Sequence, residues 1–398
     1  MIETQSAAPA VSKLPVAKPR IAVLCDYVEE QWPSMDLVAG MVFDHLSREH
    51  AAELEVERIC PPLRRRFGAL GGAFYNADRL LNRFVDYGNF LKPLTRRFDL
   101  FHLIDHSYSQ LVPVLPAGRT VVTCHDLDTF RCILEPERQP RPRWFRAMTG
   151  VILNGFRTAA HVIAVSTATR DEILRFGLHP PERVTVISNG VHPSCSPLPD
   201  PAADRQLAQL LPGDFRASAW LLNVGSSMPR KRLDLLLRVF AAVRTTIPNL
   251  RLLRVGQGFT AEQSRLAREL GVESAIVPVP FLDRDVLAAA YRFADLLVHT
   301  ADAEGFGLPL VEAMACGCPV IASDIPVLRE VGGTAAGFCA VGNIEEWKES
   351  VASALGSRER ANQKLFANAA RFSWSENASQ TARLYERLLA QGNLKESV

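Results

Sequence analysis

Short apolar runs alternate with amphipathic stretches along almost the whole chain. In the first half Ile21–Cys25, Leu54–Ile59, Phe101–Ile104, Thr120–Cys124, Val162–Val165 and Val184–Ile187 have the length and composition of buried strands. Between them Leu37–Arg48, Trp144–Ala159 and Ala168–Phe176 carry apolar residues at helical spacing. Strands that alternate with crossover helices predict a parallel sheet covered on both faces.

The pattern breaks at His192, where Pro193, Pro197, Pro199, Pro201 and Pro212 follow in quick succession. Proline continues neither a helix interior nor a central ladder, so this stretch predicts an interdomain linker. The alternation then restarts. Ala219–Val224, Leu250–Val255, Ala275–Val279, Leu296–His299 and Val320–Ala322 predict strands. Arg232–Arg244, Ala261–Leu270, Asp283–Phe293 and Leu308–Ala315 predict the intervening helices, and Glu345–Leu355, Glu359–Arg371 and Ser375–Leu389 close the chain.

The expectation is an α/β protein of two doubly wound, Rossmann-like domains facing across a cleft. Residues 1–19 form a disordered tail, 20–192 the first domain, 193–214 the linker and 215–374 the second domain. The last stretch, 375–398, is a helix expected to pack back toward the first domain. A length of 398 residues agrees with two cores rather than one. Ligands of such sheets bind beyond the carboxyl ends of the strands, so the cleft is the expected site.

Composition narrows the function by exclusion. A formal charge of +2 gives no global attraction to nucleic acid. Arg64, Arg65 and Arg66 are consecutive, and Arg131, Arg138, Arg141, Arg143 and Arg146 fall close together. The second group could form a peripheral contact with anionic lipid, or simply a solvated basic loop. No window is apolar for long enough to span a bilayer, and residues 1–19 lack the apolar core of a signal peptide. The eight cysteines are scattered, and Cys316-Gly317-Cys318 is too tightly spaced for a zinc knuckle, so a reduced cytoplasmic protein is expected.

Chemistry concentrates in Ala303-Glu304-Gly305-Phe306-Gly307-Leu308-Pro309-Leu310-Val311-Glu312, which follows a strand and opens a helix. Gly305 and Gly307 let the backbone approach a ligand, Pro309 suits a first helical turn, and the free N–H groups there favour an anion. Glu304 and Glu312 can each accept two hydrogen bonds from vicinal hydroxyls, as sugars and riboses present them. A second basic element, Gly225-Ser226-Ser227-Met228-Pro229-Arg230-Lys231-Arg232, stands at another strand-to-helix junction. Cations are disfavoured at a helix start, so Arg230 and Lys231 imply an anionic partner such as a diphosphate.

Gly256-Gln257-Gly258 is too short for a dinucleotide fingerprint, and Cys25-Asp26-Tyr27-Val28 after the first strand offers none. In the first domain His125 falls just past a strand end, where a neutral imidazole could meet a sugar hydroxyl with Asp126 fixing its tautomer. Asp126-Leu127-Asp128 and Asp283-Arg284-Asp285 are acidic pairs that could hold a divalent metal. Asp283 and Asp285 also suit a helix cap and first turn, and neither pair is assigned to a metal. Asp105-His106-Ser107-Tyr108 reaches the cleft rim from another strand, and Ser166-Thr167 reads as a helix cap.

On these residues the sequence resembles the retaining glycosyltransferases of family 4, which have the GT-B architecture. Its anchor is an E-x7-E signature, Glu304 and Glu312, within EGFGLPLVEAMACGCPVIASD. The resemblance implies that Glu304 contacts donor-sugar hydroxyls and that Glu312 holds the ribose. It further implies that the Gly305, Phe306, Gly307 and Leu308 amides and the Gly225 loop support the sugar and diphosphate. Arg230 and Lys231 match the pair that neutralises the leaving diphosphate, and His125 a histidine beside the donor sugar. Two departures stand out: Tyr27–Asp36 replaces a glycine-rich loop, and Ser226-Ser227 stands where some relatives have an arginine.

The implied activity is transfer of a hexosyl unit from a UDP- or GDP-linked sugar to a carbohydrate or lipid-linked acceptor, with no metal and no cofactor. Two alternatives remain at this stage: a nucleotide-sugar epimerase of similar fold, and a donor-binding partner subunit without turnover.

Overall fold

A computed structural model describes residues 17–67, 72–213, 215–357 and 363–396. The expected tail lies outside the described residues up to residue 16, as do 359–362 of the expected Glu359–Arg371 helix.

Strands β1 (Arg20–Leu24), β2 (Glu55–Ile59), β3 (Leu100–Leu103), β4 (Thr120–Cys124), β5 (His161–Ala164) and β6 (Val184–Val186) form one parallel sheet in the order β2-β1-β3-β4-β5-β6. Strands β7 (Ala219–Gly225), β8 (Leu250–Gly256), β9 (Ile276–Val279), β10 (Leu296–His299), β11 (Val320–Ser323) and β12 (Gly337–Cys339) form a second, in the order β12-β11-β10-β7-β8-β9. The second order is that of the Rossmann fold, whereas the first reverses between β1 and β3 as flavodoxin-like sheets do.

Both sheets are buried on both faces, which period-two alternation makes possible. In β1, Ile21 and Val23 pack on one side, while Ala22 and Leu24 pack on the other. In β7 and β8, Leu221, Leu250 and Leu252 face one core and Trp220, Leu222 and Leu253 the other.

The chain crosses back at its end. Trp374, Ala378, Ala382 and Tyr385 of the helix Trp374–Glu396 complete the first domain's core beside Ile21 and Val38. The Tyr385 hydroxyl meets His102 Nδ1 at 2.6 Å, and Asn377 Nδ2 donates to the Ser188 carbonyl at 2.9 Å.

The proline-rich stretch departs from the expected plain linker. It contains the helix Pro201–Leu210, with Pro201 in the first turn where its missing N–H costs nothing. Asp200 caps it by accepting from the Ala202 and Ala203 amides at 2.9 and 3.1 Å. Ala203 and Leu207 anchor it in the second domain's core.

Candidate active site

The topological switch of the second sheet lies between β7 and β10, where crossovers leave in opposite directions and open a crevice. The loop after β7 carries Arg230 and Lys231, and the loop after β10 carries Glu304. A cleft of about 1600 Å³ runs from there to the first domain. It is lined by Asp105, His106 and His125 on one side and by Gly225, Arg230 and Glu312 on the other.

Glu304 is the centre of the cluster, with 8% of its side chain exposed. Lys231 Nζ donates to its Oε1, His299 Nε2 meets the same oxygen at 2.9 Å, and Arg230 Nη1 lies 3.6 Å from Oε2. Burial pushes the Glu304 carboxyl up, but Lys231, His299 and Arg230 outweigh it and hold the group well below the usual range. Arg230 bridges the domains, with Nη2 3.3 Å from Asp126 and Nε 3.7 Å from Asp128. Asp126 and Asp128 are therefore met by a guanidinium, and among the described residues no three His, Cys, Asp or Glu side chains gather as metal ligands.

Glu312 lies one turn inside the helix Leu308–Ala315. Tyr291 donates its hydroxyl to Oε2 at 2.9 Å and Arg284 reaches Oε1 at 3.2 Å. Burial dominates here and raises its carboxyl above the ordinary value. Arg284 thus serves Glu312, while Asp283 stands at the cap position without a side-chain cap bond. Asp285 instead accepts from Ser194 at 2.5 Å.

Gly305 and Gly307 are glycines for distinct reasons. Gly307 takes φ 90°, a left-handed conformation that caps the helix start. At Gly305 a Cβ would stand 1.6 Å from the His125 carbonyl oxygen, so the loop that carries Glu304 rests directly on the first domain. Thr169 Oγ1 donates to the Gly305 carbonyl at 3.3 Å across the same seam. The Phe306 side chain is buried in the core, edge-on to Phe372 at 5.3 Å.

His125 is buried, and its Nε2–H donates to the Ile104 carbonyl at 2.7 Å. That carbonyl, rather than the expected Asp126, fixes the tautomer and leaves Nδ1 as the ring's acceptor. Burial lowers the imidazole's pKa and keeps it neutral. Beside it, burial and the neighbouring Asp105 push Asp26 up. For Asp105 burial is outweighed by His106, His125 and Ser107, which hold it at about 2.

Three partners escaped the sequence reading. His299 is the last residue of β10, a strand-end histidine like His125, and that position was its signal. Tyr291 lay hidden in an ordinary amphipathic helix. Arg254 announced itself only as a charge inside the apolar run of β8. Of the basic segment, Arg131 pairs with Glu135 and Glu172, whereas Arg141, Arg143 and Arg146 are exposed. Among the described residues no helix is long and apolar enough to cross a membrane.

Two facing Rossmann-like domains with a charged cleft between them define the GT-B class. Residues 39–194 match the family model described as Glycosyltransferase Family 4, and 216–381 that described as Glycosyl transferases group 1. The chain belongs to the family 4 glycosyltransferases.

It is 33% identical over 247 residues to a D-inositol 3-phosphate glycosyltransferase of Thermobispora bispora, covering 58% of this chain and 56% of that protein. It thus spans little more than half the length of that relative. It is 28% identical over 280 residues to the O-antigen chain mannosyltransferase B of Escherichia coli, covering 68% of this chain and 71% of the relative. Among solved structures, sucrose-phosphate synthase from Thermosynechococcus elongatus shares the fold at TM-score 0.71 and 21% identity, over 94% of this chain and all (100%) of that one. Anabaena HepE, solved with UDP and glucose, does so at 0.69 and 18%, over 93% and 100%.

Proposed function

We propose that this protein transfers a hexosyl unit from a UDP- or GDP-linked sugar to a hydroxyl of a carbohydrate or lipid-linked acceptor, with retention of configuration. The observation that carries the reading is the paired placement of Glu304 and Glu312 on one loop and helix. Each carboxylate is buried and oriented by its own cations and donors. Two such acceptors, one on the loop and one a turn inside the helix, suit a ligand with hydroxyls at both ends of an anionic linker.

Arg230, Lys231 and the N–H groups exposed after Gly307 supply positive charge where a diphosphate would leave. The role assigned to them is to lower the barrier to departure without a divalent metal or a cofactor. Neutral His125 offers its ring to the transferred sugar rather than a proton. Closure of the two domains would exclude water and protect the donor from hydrolysis.

The exposed arginines at 141, 143 and 146 leave room for a peripheral contact with an anionic membrane face, and no nucleic acid is invoked. The assigned setting is cytoplasmic synthesis of a glycan, glycolipid or polysaccharide. The relatives named above, which include an O-antigen mannosyltransferase, support it. A panel of UDP- and GDP-sugars, read by nucleotide release with and without candidate acceptors, tests the reading. Acceptor-dependent release is expected, and conversion of the nucleotide sugar without an acceptor would overturn it in favour of an epimerase.

A further inference from the structure

Arg254 stands in the middle of β8, flanked by Leu253 and Val255, with 2% of its surface exposed. A guanidinium buried this deeply is costly unless an anion meets it. Its Nη2 donates to the carbonyl oxygens of Gly225 at 2.9 Å, Ser226 at 3.1 Å and Gln257 at 3.3 Å, and reaches Ser227 Oγ at 3.5 Å. Nη1 donates to the Val255 carbonyl, and Nε is buried without a partner. Carbonyl oxygens meet its Nη1 and Nη2 groups but leave its charge uncompensated. Burial accordingly lowers its pKa, to about 10.

Two of the arginines that line the cleft are neutralised in place. Arg230 meets Asp126, Asp128 and Glu304, and Arg284 meets Glu312. Arg254 alone among these three has no carboxylate partner.

The groups it grips belong to the loops at the carboxyl ends of β7 and β8. Ser227 ties those loops together, its N–H donating to Gln257 Oε1 at 3.1 Å and its hydroxyl lying 2.9 and 2.8 Å from the carbonyls of Gln257 and Gly258. Gly225, Ser226 and Gln257 line the cleft, and Arg230 and Lys231 follow within the same loop. Arg254 also fills, from the neighbouring strand, a region where Ser226 and Ser227 bring no charge of their own.

We propose that Arg254 is a positioning residue and buried counter-charge for the donor's diphosphate, acting through the Gly225–Ser227 loop. This rests on the donor reading given above. The guanidinium shapes the loop with its fork, and its uncompensated charge is answered only when an anion enters the cleft. Its contribution must therefore grow with the charge on the ligand, which a purely structural role would not require.

The test is calorimetric titration of the full chain with uridine, UMP and UDP, and with guanosine, GMP and GDP. Wild type is compared with Arg254→Gln, which keeps N–H donors without charge, and Arg254→Lys, which keeps charge without the fork. Arg254→Gln should weaken the preferred nucleoside diphosphate about tenfold or more, the monophosphate less and the nucleoside hardly at all. Arg254→Lys, which keeps the charge, should show no loss that grows with the charge of the ligand.

Equal losses across the series, or an unchanged diphosphate affinity, would overturn the inference while leaving the donor reading intact. Should Arg254→Gln fail to fold, the lysine variant decides: a loss that grows with ligand charge there overturns the proposal, and a diphosphate affinity close to wild type supports it. If wild type binds neither diphosphate, the donor reading falls and this inference with it.

Discussion

The carbonyl oxygen of His125 occupies the space where a side chain on Gly305 would have to begin, 1.6 Å from an ideal Cβ. The contact is backbone against backbone, and it joins the first domain's strand end to the second domain's loop that carries Glu304. Neither side can yield by a rotamer change.

Gly305→Ala should therefore part the two domains at the site while leaving each core intact. Transfer is expected to fall at least about tenfold, because misplacement of reacting groups by about 1 Å costs on that order or more. Nucleoside diphosphate binding, which draws on the second domain, should fall less. Steady-state turnover set beside calorimetric affinity checks the split, and equal losses in both would count against the seam as the cause.

Lys231→Ala removes the ammonium bound to Glu304 Oε1 and one cation of the proposed diphosphate site. Turnover should drop by at least about tenfold with the fold retained by circular dichroism. EDTA should leave wild-type turnover unchanged, since the stabilising charge is assigned to side chains and a helix start. Loss of activity in EDTA, restored by a divalent cation, would refute that assignment.

Glu330 caps a helix of the opposite domain. Its carboxylate accepts from the Thr167 amide at 2.8 Å and the Ala168 amide at 3.1 Å, at the start of the helix Thr167–Arg175. Glu330→Ala should cost about 1 kcal/mol, as loss of a helix cap does, measured by urea unfolding. Because the bond crosses the seam, donor affinity should weaken as well. A stability loss with unchanged affinity would confine Glu330 to a structural role.

Stability should fall in mild acid, and His102 is one reason. It is buried between Tyr385 and Thr123, at 2.6 and 2.7 Å, and burial, with a smaller effect of His125, lowers its pKa to about 3. An unfolded histidine titrates near about 6.5, so the unfolded chain takes up a proton that the native state refuses. The contribution is whole above that value and is lost as pH falls from about 6.5 toward about 3. Denaturant unfolding at pH 7 and pH 5 should show a shallower loss for His102→Gln than for wild type. Parallel losses would show that His102 is not a source of the slope.

The strands were legible because each is a short apolar run bounded by polar turns, and a buried parallel strand requires little else. Leu296–His299, Thr120–Cys124 and the helix Leu308–Ala315 fall where the pattern predicts them. The helix Pro201–Leu210 was not legible as one. Several prolines signal a break, and only the cap at Asp200 shows that Pro201 opens a helix. The short strand Gly337–Cys339 and the helix Pro326–Gly332 were likewise missed, being too brief to display a period.

At the site, the sequence by itself determined the residues whose chemistry is local: Glu304 and Glu312 on one loop and helix, Gly307 at the helix start, Arg230 and Lys231 side by side. Each was legible from residue type and local spacing within its own segment. Tertiary structure alone decided which distant groups meet them. His299 and Lys231 share one oxygen of Glu304, Arg284 and Tyr291 hold Glu312, the Ile104 carbonyl sets the His125 tautomer, and Arg254 grips the carbonyls of the β7 loop. Such pairings depend on strand order and on how two sheets face each other. Hydrophobic periodicity places a residue on a face, but the charges that tune it arrive from other strands.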